Sequence, residues 1–451
     1  MLGAIALALM LTVLSLPAQT RATESCPFVR LAPSTVVLYG PWKFRIGDDA
    51  RWASPDFDDS SWQTVSLRAP ADATDGDVGI TRYAPGWNAW GYRGYFGYAW
   101  YRIHLDVRAK SVRALALLGP GAVDSAYQLF VNGKLLGGVG MIAGRNPIAY
   151  SDRYPKMFLL PHALMHGGRM LIAIRVWAGP WAGGSTAGGM HVAPVIGVEP
   201  TIKALYRLQW LKIFEGYTVD AVSVLVFLLL AVIAMCIRPF DRADRTYLWV
   251  AIALLLSAIQ RGNQAVFFWG RIETVRDFVY LIVVFVSSAT FGVWVMAWRA
   301  WLKVESPKWL PKAVAAVALS LMTAQLLSQP WLFSATLSNA ISMAIYYVIT
   351  GLHLAFLLAL IVVVQQGLRS RARETWLALP SILSLCTVLF STELALLGVP
   401  GIWFPWGIGV SLSEYASMAF DLLLFCLLTQ RLWQFVPQPP RKDKPSFADA
   451  R

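Results

Sequence analysis

The chain has 451 residues, of which 57 % are hydrophobic and only 14 % are charged. Soluble domains carry roughly 25 % charged residues, so this composition excludes a wholly soluble protein and indicates contact with lipid. The formal net charge is +13. Because the basic residues are concentrated in loops between apolar segments, this charge needs no nucleic-acid partner, and we expect no nucleic-acid binding.

The first 22 residues have the layout of a secretory signal peptide. An apolar run covers residues 4–16, and Pro17, Ala18 and Ala22 follow it, as small residues do at a cleavage point. No Lys or Arg precedes the run, so an uncleaved anchor or a misassigned start codon is the alternative. Each of these possibilities places the next domain, residues 23–203, outside the cytoplasm.

Short β-type runs separated by Gly, Pro, Asn and Asp follow in the exported half. They cover residues 99–107, 114–118, 126–131 and 170–177. Alternate residues from Tyr101 to Val107 are apolar, which is typical of one face of a strand. Asn132-Gly133 is a strong signal for a tight hairpin turn. Many short strands with such turns predict a β-sandwich.

Several motifs occur in the order found in one known domain. They are Gly40-Pro41-Trp42-Lys43-Phe44, Asp56-Phe57-Asp58-Asp59-Ser60-Ser61-Trp62, Trp100-Tyr101-Arg102, Val131-Asn132-Gly133-Lys134 and Met170-Leu171-Ile172-Ala173-Ile174-Arg175-Val176. Together they resemble the sugar-binding jelly roll of glycoside hydrolase family two, which implies an exported all-β jelly-roll sandwich. In those hydrolases this domain is an accessory module. No pair of catalytic carboxylates can be assigned here, so we expect no enzyme activity, no catalytic residue, no metal and no cofactor.

An aromatic, Gly-rich stretch between strands is the best candidate for a ligand surface. Sugars present apolar faces to aromatic rings and hydroxyls to polar side chains, and loops carry function more often than strands. The predicted ligand-binding residues are Trp87, Asn88, Trp90, Tyr92, Arg93 and Tyr95, with Trp181 in a second loop. The alternative is that these aromatics pack onto the sandwich or lie at the membrane interface.

Long apolar runs fill residues 218–432. A helix needs about 20 apolar residues to cross a bilayer, because unpaired backbone groups are not tolerated in lipid. Seven segments meet this length: 218–237, 246–266, 278–298, 313–333, 341–365, 376–397 and 408–429. The sequence therefore predicts a seven-helix transmembrane bundle. The preceding segment, residues 204–217, mixes apolar and charged residues and predicts an amphipathic connector.

The basic residues of the short loops alternate between the two sides of the predicted bundle. Most of them fall on one side, together with the tail 433–451, whereas Arg261, Arg271 and Arg276 fall on the other. Positive charge is held on the cytoplasmic side. We therefore expect a multi-pass protein of the bacterial inner (cytoplasmic) membrane, with its N-terminal domain outside and its C-terminus in the cytoplasm.

Six ionisable residues lie within the predicted spans, where they are costly and usually face the bundle interior. Asp220, Arg261, Glu393 and Glu414 lie near the outer helix ends, and His353 and Asp421 lie deeper. These six are the predicted transmembrane coupling residues. A pair between Arg261 and Glu393 or Glu414 would couple the exported domain to the bundle; the alternative is that each charge reaches interfacial water. For His353 and Asp421, a structural hydrogen bond is the alternative to a proton relay.

A jelly-roll-like exported domain followed by seven helices resembles the bacterial seven-transmembrane receptors with diverse intracellular signalling modules. The resemblance implies a sensor that binds a carbohydrate-like ligand outside and signals through its helices. The tail 433–451 is short, polar and basic, too short to fold alone. The output is therefore expected from a separate cytoplasmic signalling protein or from a module beyond this chain. The alternatives are a transporter or membrane enzyme using His353 and Asp421, and a passive surface-binding protein.

Overall fold

The computed structural model describes a β-sheet region followed by a helical region. The described residues are 35–70, 83–107, 114–142, 148–149, 154–161, 169–179, 187–240, 244–270, 274–329, 339–399, 401–402 and 411–434. The predicted signal peptide (1–22), Trp181, and the tail beyond residue 434 lie outside this part of the chain. We call residues 35–198 the sheet domain and residues 199–433 the helix bundle.

The sheet domain consists of two antiparallel sheets. Its strands are β1 (Thr35–Val37), β2 (Trp42–Ile46), β3 (Gln63–Val65), β4 (Gly97–Asp106), β5 (Leu115–Leu118), β6 (Ala126–Val131), β7 (Lys134–Val139), β8 (Met157–Leu160), β9 (Arg169–Ala178) and β10 (Val195–Val198). One sheet has the order β1-β10-β5-β8, and the other has the order β3-β2-β4-β9-β6-β7. Buried side chains from both sheets form one core, with Leu117 and Phe158 from the first and Trp42 and Ile174 from the second.

The strands predicted from alternation and turn signals are confirmed. Strand β4 buries Tyr101 and Ile103 in the shared core, which is the face that the apolar alternation indicated. Asn132 and Gly133 join β6 to β7 with φ angles of 46° and 81°. Two positive φ values in a two-residue connection are the geometry that favours Asn-Gly in hairpins. The jelly-roll assignment stays a prediction.

The helix bundle contains eight described helices. They are α1 (Glu199–Ile237), α2 (Thr246–Trp269), α3 (Val275–Trp301), α4 (Leu310–Leu327), α5 (Asn339–Ser370), α6 (Ala372–Leu389), α7 (Ser391–Leu396) and α8 (Leu412–Trp433). Within the described residues, six of them (α1 to α5 and α8) have the length and apolar composition needed to cross a membrane. These six helices indicate a multi-pass membrane protein.

The seventh predicted segment, residues 376–397, is divided between two helices. Helix α6 ends at Leu389, and α7 begins at Ser391, because Phe390 between them leaves the helical conformation, with φ −105° and ψ 26°. Pro380 lies inside α6, where it removes one backbone hydrogen bond. Neither helix is among the six apolar ones, so a seventh crossing stays a prediction.

Helix α1 begins directly at the end of strand β10. Val198 is the N-cap, and Pro200 lies in the first turn, where its missing N–H group costs nothing. Ile202 is fully buried against Ala116 and Leu118 of β5. The segment predicted as a connector and the first apolar span therefore form one uninterrupted helix that starts on the sheet domain.

Candidate functional site

The aromatic stretch, residues 83–98, packs several of its rings into the sheet core. Trp87 is 0 % exposed and donates from Nε1 to the Tyr95 carbonyl at 3.1 Å. Trp90 and Tyr92 contact Phe44 edge-on, with ring centroids 5.2 and 5.7 Å apart. Such edge-to-face contacts stabilise aromatic clusters beyond their buried area. The stretch is thus anchored through its own rings.

A second contact fixes the aromatic stretch to residues 187–191. The Trp87 N–H donates to the Gly188 carbonyl at 2.9 Å, and a Cβ atom on Gly188 would lie only 2.2 Å from Trp87 Nε1. His191 is buried, with Nδ1 2.9 Å from the Ala84 carbonyl and Nε2 2.9 Å from Asp124. Only glycine at position 188 leaves room for the Trp87 ring.

The predicted ligand-binding residues differ sharply in exposure. Trp87 and Asn88 are buried, whereas Arg93 is exposed and Trp90, Tyr92 and Tyr95 are partly buried. Phe96, which the sequence did not single out, is 38 % exposed. A ligand at this surface would therefore meet Arg93, Phe96 and the edges of the partly buried rings. Their binding role stays a prediction.

Arg102 organises a feature that sequence reasoning missed, on the opposite face of the same sheet. Its Nε donates to Asp59 at 2.7 Å, and its other nitrogens donate to the carbonyls of Trp52, Ser54 and Phe57. The side chain is fully buried. Position 102 alternates with the core residues 101 and 103, so the sequence did place it on the other face. It gave no sign that residues 52–59 would cover it.

Asp59 is held in its charged form by this contact. Burial opposes ionisation, but hydrogen bonds from Arg102 and His104 outweigh it and lower the pKa of Asp59. Asp58, the preceding residue, accepts from the Ser60 N–H at 2.9 Å, so its side chain stabilises the turn that follows. The motif from Asp56 to Trp62 is therefore structural within the described residues.

Aromatic side chains join the sheet domain to the bundle. Tyr154 donates its hydroxyl to the Trp269 carbonyl at the end of α2, at 2.9 Å, and its ring meets Trp210 of α1 edge-on at 5.1 Å. Phe214 of α1 stacks on Trp269 at 4.6 Å. Val275, at the start of α3, donates to the Ala149 carbonyl at 3.1 Å. The beginning of α1, the end of α2 and the start of α3 are thus all held at the sheet domain.

Inside the bundle, Arg261 pairs with a different residue from the two expected. Its Nη1 lies 2.6 Å from Asp220 Oδ1, and the two side chains are 15 % and 3 % exposed. The predicted pairing with Glu393 or Glu414 is therefore wrong. Asp220 and Arg261 lie on neighbouring antiparallel helices, and apolar surroundings favour the nearest opposite charge.

The other predicted coupling residues have separate partners. Glu393 Oε1 lies 2.5 Å from His353 Nδ1, and the His353 ring stacks on Phe291 at 4.8 Å. Glu414 forms a capping box with Ser411 at the start of α8. Asp421 is 7 % exposed. The structure brings Asp220 together with Arg261 and His353 with Glu393, and assigns Glu414 to a helix terminus.

A second charged group of side chains ties several helices together at the bundle end farthest from the sheet domain. Arg431 of α8 donates to the Trp301 carbonyl at 2.8 Å and lies 3.6 Å from Glu374 and 3.8 Å from Asp244. Its guanidinium also covers the Trp301 ring. We call this group the distal cluster. The described residues contain no group of three His, Cys, Asp or Glu side chains that could hold a metal.

Comparison with known proteins gives matches to solved structures alone. No family model matches the chain, and no curated protein matches it. A Bacteroides uniformis β-glucuronidase is 21 % identical with a TM-score of 0.26, over 36 % of this chain and 17 % of that one. A glycoside hydrolase family 2 β-glucuronidase is 18 % identical with a TM-score of 0.27, over 38 % and 18 %. A β-glycosidase from Bacteroides vulgatus is 19 % identical with a TM-score of 0.25, over 37 % and 20 %.

The chain spans a fifth or less of the length of these three enzymes. At such identities and TM-scores, the likeness gives this chain neither an activity nor a ligand.

Proposed function

We propose that this protein is a membrane receptor that binds a carbohydrate-like ligand on its sheet domain and transmits binding through its helices. The observation that carries the proposal is the direct join of strand β10 to helix α1. A helix that starts on a sheet and continues for 39 residues passes a tilt or rotation of the sheet domain to its far end, since no flexible linker absorbs it.

The contacts between helices supply a route for this movement. Helix α1 is held to α2 by the Asp220–Arg261 pair and by stacking of Tyr217 on Phe268 at 4.1 Å. Helix α8 packs against α1 and α6 and carries Arg431 of the distal cluster at its other end. A ligand that favours one arrangement of the sheet domain would shift the distal cluster between two arrangements.

The finer features of the proposal follow from the sequence. The sheet domain would be a jelly roll outside the bacterial inner membrane, α6 and α7 would supply the seventh crossing, and the distal cluster would face the cytoplasm. A separate cytoplasmic signalling protein would then bind one of the two arrangements of the distal cluster. The chain would have no enzymatic activity of its own.

Hydrogen exchange on the full chain in lipid nanodiscs tests the proposal. The probes are neutral hexoses, uronic acids and N-acetylated amino sugars, with binding measured by calorimetry. We expect one class to bind, to slow exchange in the sheet domain, and to change exchange around Arg431 and Glu374. Binding without any distal change would indicate a passive surface protein. Failure of every saccharide to bind would contradict the proposed ligand class.

Leu208→Pro tests the role of α1 directly. Leu208 lies within α1 and is 47 % exposed, so a proline there interrupts the helix while disturbing little packing. We expect saccharide binding to persist and the distal change in exchange to disappear. Leu208→Ala keeps the helix and should retain both. A full distal response in Leu208→Pro would contradict transmission through α1.

A further inference from the structure

A partly open cavity lies between the helices of the bundle, apart from the aromatic stretch of the sheet domain. Its volume is about 290 Å³, and its wall is supplied by α1 to α8. The polar part of this wall includes Gln260, Arg261, Gln264, Thr290, His353 and Ser417. We call this space the bundle cavity. A water-lined or ligand-lined interior explains why so many polar side chains point inward from apolar helices.

The bundle cavity lies in the half of the bundle nearer to the sheet domain. Gln264 is five residues from Trp269, whose carbonyl accepts from Tyr154 of the sheet domain. Ser413 and Ser417 lie in the first two turns of α8. A molecule in this space would touch helices whose ends contact the sheet domain.

The charged groups at the cavity already have partners. Arg261 is paired with Asp220 at 2.6 Å, and Glu393 with His353 at 2.5 Å. An ionic ligand would add an unbalanced charge to a largely buried space, which is strongly unfavourable. The cavity therefore suits a neutral molecule.

Several polar side chains at the cavity can bond a ligand. The buried Nε2 of His353 has no partner among the described residues, and the partly exposed side chains of Gln260 and Gln264 also line the cavity. Buried polar groups in folded proteins are normally satisfied by protein, water or ligand. Donors and acceptors of this number suit a molecule with several hydroxyl groups.

Aromatic rings form the remaining part of the cavity wall. Phe291, Trp294 and Phe420 line it, and Trp294 meets Phe420 edge-on at 5.0 Å. Residues Val279–Ser287 of α3, three of which line the cavity, form a π-helical stretch. Such stretches are rare and occur frequently at functional sites because they widen the helix locally. The wall thus combines ring faces with polar edges, as ligand pockets do.

From these observations we infer that the bundle cavity binds a small neutral polyhydroxylated molecule, a monosaccharide or a cyclic polyol. Ligand pockets for drug-sized molecules begin at about 300 Å³, so a cavity of about this size suits a single ring. The hydroxyls meet Gln260, Gln264 and His353, and the C–H faces meet the aromatic rings. This site is separate from the surface on the sheet domain and does not depend on the receptor function.

The test uses the full chain in nanodiscs with tritiated glucose, galactose, mannose and myo-inositol, measured by scintillation proximity. Thr290→Phe fills the cavity, because Thr290 lines it and is 1 % exposed. Thr323→Phe is the matched control: Thr323 is exposed and, like Thr290, donates to the carbonyl four residues earlier. We expect saturable binding of one probe, lost in Thr290→Phe and kept in Thr323→Phe.

A milder variant tests the inference even if Thr290→Phe fails to fold. Gln260→Leu keeps the approximate size of the side chain and removes the amide that would bond the ligand, so we expect affinity to fall about tenfold. Gln365→Leu, on an exposed position of α5 outside the cavity wall, should leave affinity unchanged. Equal affinity in Gln260→Leu and the unchanged protein would overturn the inference.

Arg93→Ala separates this site from the proposed surface on the sheet domain. Binding in the cavity should survive this change. Binding that is lost in Arg93→Ala and unaffected by Thr290→Phe would assign the ligand to the sheet domain and overturn the cavity site. No saturable binding of any of the four probes would mean that the cavity holds water alone, and it too would overturn the inference. Uronic acids and N-acetylated amino sugars would remain as candidate ligands of the sheet domain.

Discussion

The sheet domain and the helix bundle bury arginine in different ways. Arg102 of the sheet domain has hydrogen bonds from Nε, Nη1 and Nη2, one to a carboxylate and three to backbone carbonyls. Arg261 of the bundle has one bond, to Asp220, among the described residues. His353, close by, keeps one ring nitrogen without a described partner. The first arrangement is complete, and the second leaves polar groups available.

This difference has a physical consequence for each region. A fully satisfied buried network stabilises one conformation, because any movement breaks several bonds at once. A partly satisfied network can accept a ligand or exchange partners at lower cost. We therefore regard the Arg102 network as a rigid structural element. The Arg261 and His353 pairs are the part of the molecule that can change hydrogen-bond partners.

The largest effect is expected when the complete network is broken. Arg102→Met leaves three carbonyls without their donor and Asp59 without its arginine partner, and we expect it to destabilise the sheet domain by about 3–5 kcal/mol. Hydrogen exchange of β4 peptides measures this loss. Arg51→Met is the control, since the Arg51 side chain is 82 % exposed and should leave exchange unchanged. A similar increase in β4 exchange in both variants would show that the buried arginine stabilises the sheet domain no more than the exposed one.

An intermediate effect is expected in the bundle. Asp220→Asn, Arg261→Gln and the double variant should give a coupling energy of about 0.5–2 kcal/mol, the range found for polar contacts between membrane helices. Detergent-induced unfolding measures it. The Arg371 and Glu374 side chains are 41 % and 43 % exposed and provide the comparison. We expect their coupling to stay below about 0.5 kcal/mol. Additive effects of the two substitutions would mean that the Asp220–Arg261 pair contributes nothing to the free energy of unfolding.

The smallest effect concerns pH and the sheet domain. The folded-state pKa of Asp59 is lowered, so its ionised form favours folding at neutral pH. This contribution is present above the unfolded pKa of about 3.9 and is lost as the pH falls through the lower folded value. We expect β4 exchange to rise below about pH 4 and to rise less steeply in Asp59→Asn. If β4 exchange depends equally on pH in Asp59→Asn and in the unchanged protein, Asp59 does not stabilise the sheet domain.

Much of the fold could be predicted because it depends on local patterns. The alternation in β4, the Asn132-Gly133 turn and the apolar runs of six helices all depend on nearby residues, and all appear in the structure. The segment 376–397 was harder, since Pro380 and the break at Phe390 interrupt a run that is apolar on average. Composition could not show that interruption.

The candidate site was less predictable. An aromatic, Gly-rich stretch can be recognised from the sequence, but which of its rings would be buried depends on Phe44 and Gly188, which lie far away along the chain. The partner of Arg261 was predicted wrongly for a similar reason. Hydropathy gives the depth of a residue in the membrane, whereas its partner depends on which way each helix is rotated and which helices are neighbours.

The sequence alone determined that a β-rich domain precedes a set of apolar helices, where most strands and helices lie, and which polar residues fall within the helices. Those properties follow from the free energy of burying local apolar surface. Only the tertiary structure decided that Arg102 is covered by residues 52–59, that Asp220 meets Arg261, and that polar residues of α2, α3, α5 and α8 surround one cavity. Contacts between distant residues are settled by how whole helices and sheets pack, since no local pattern records them.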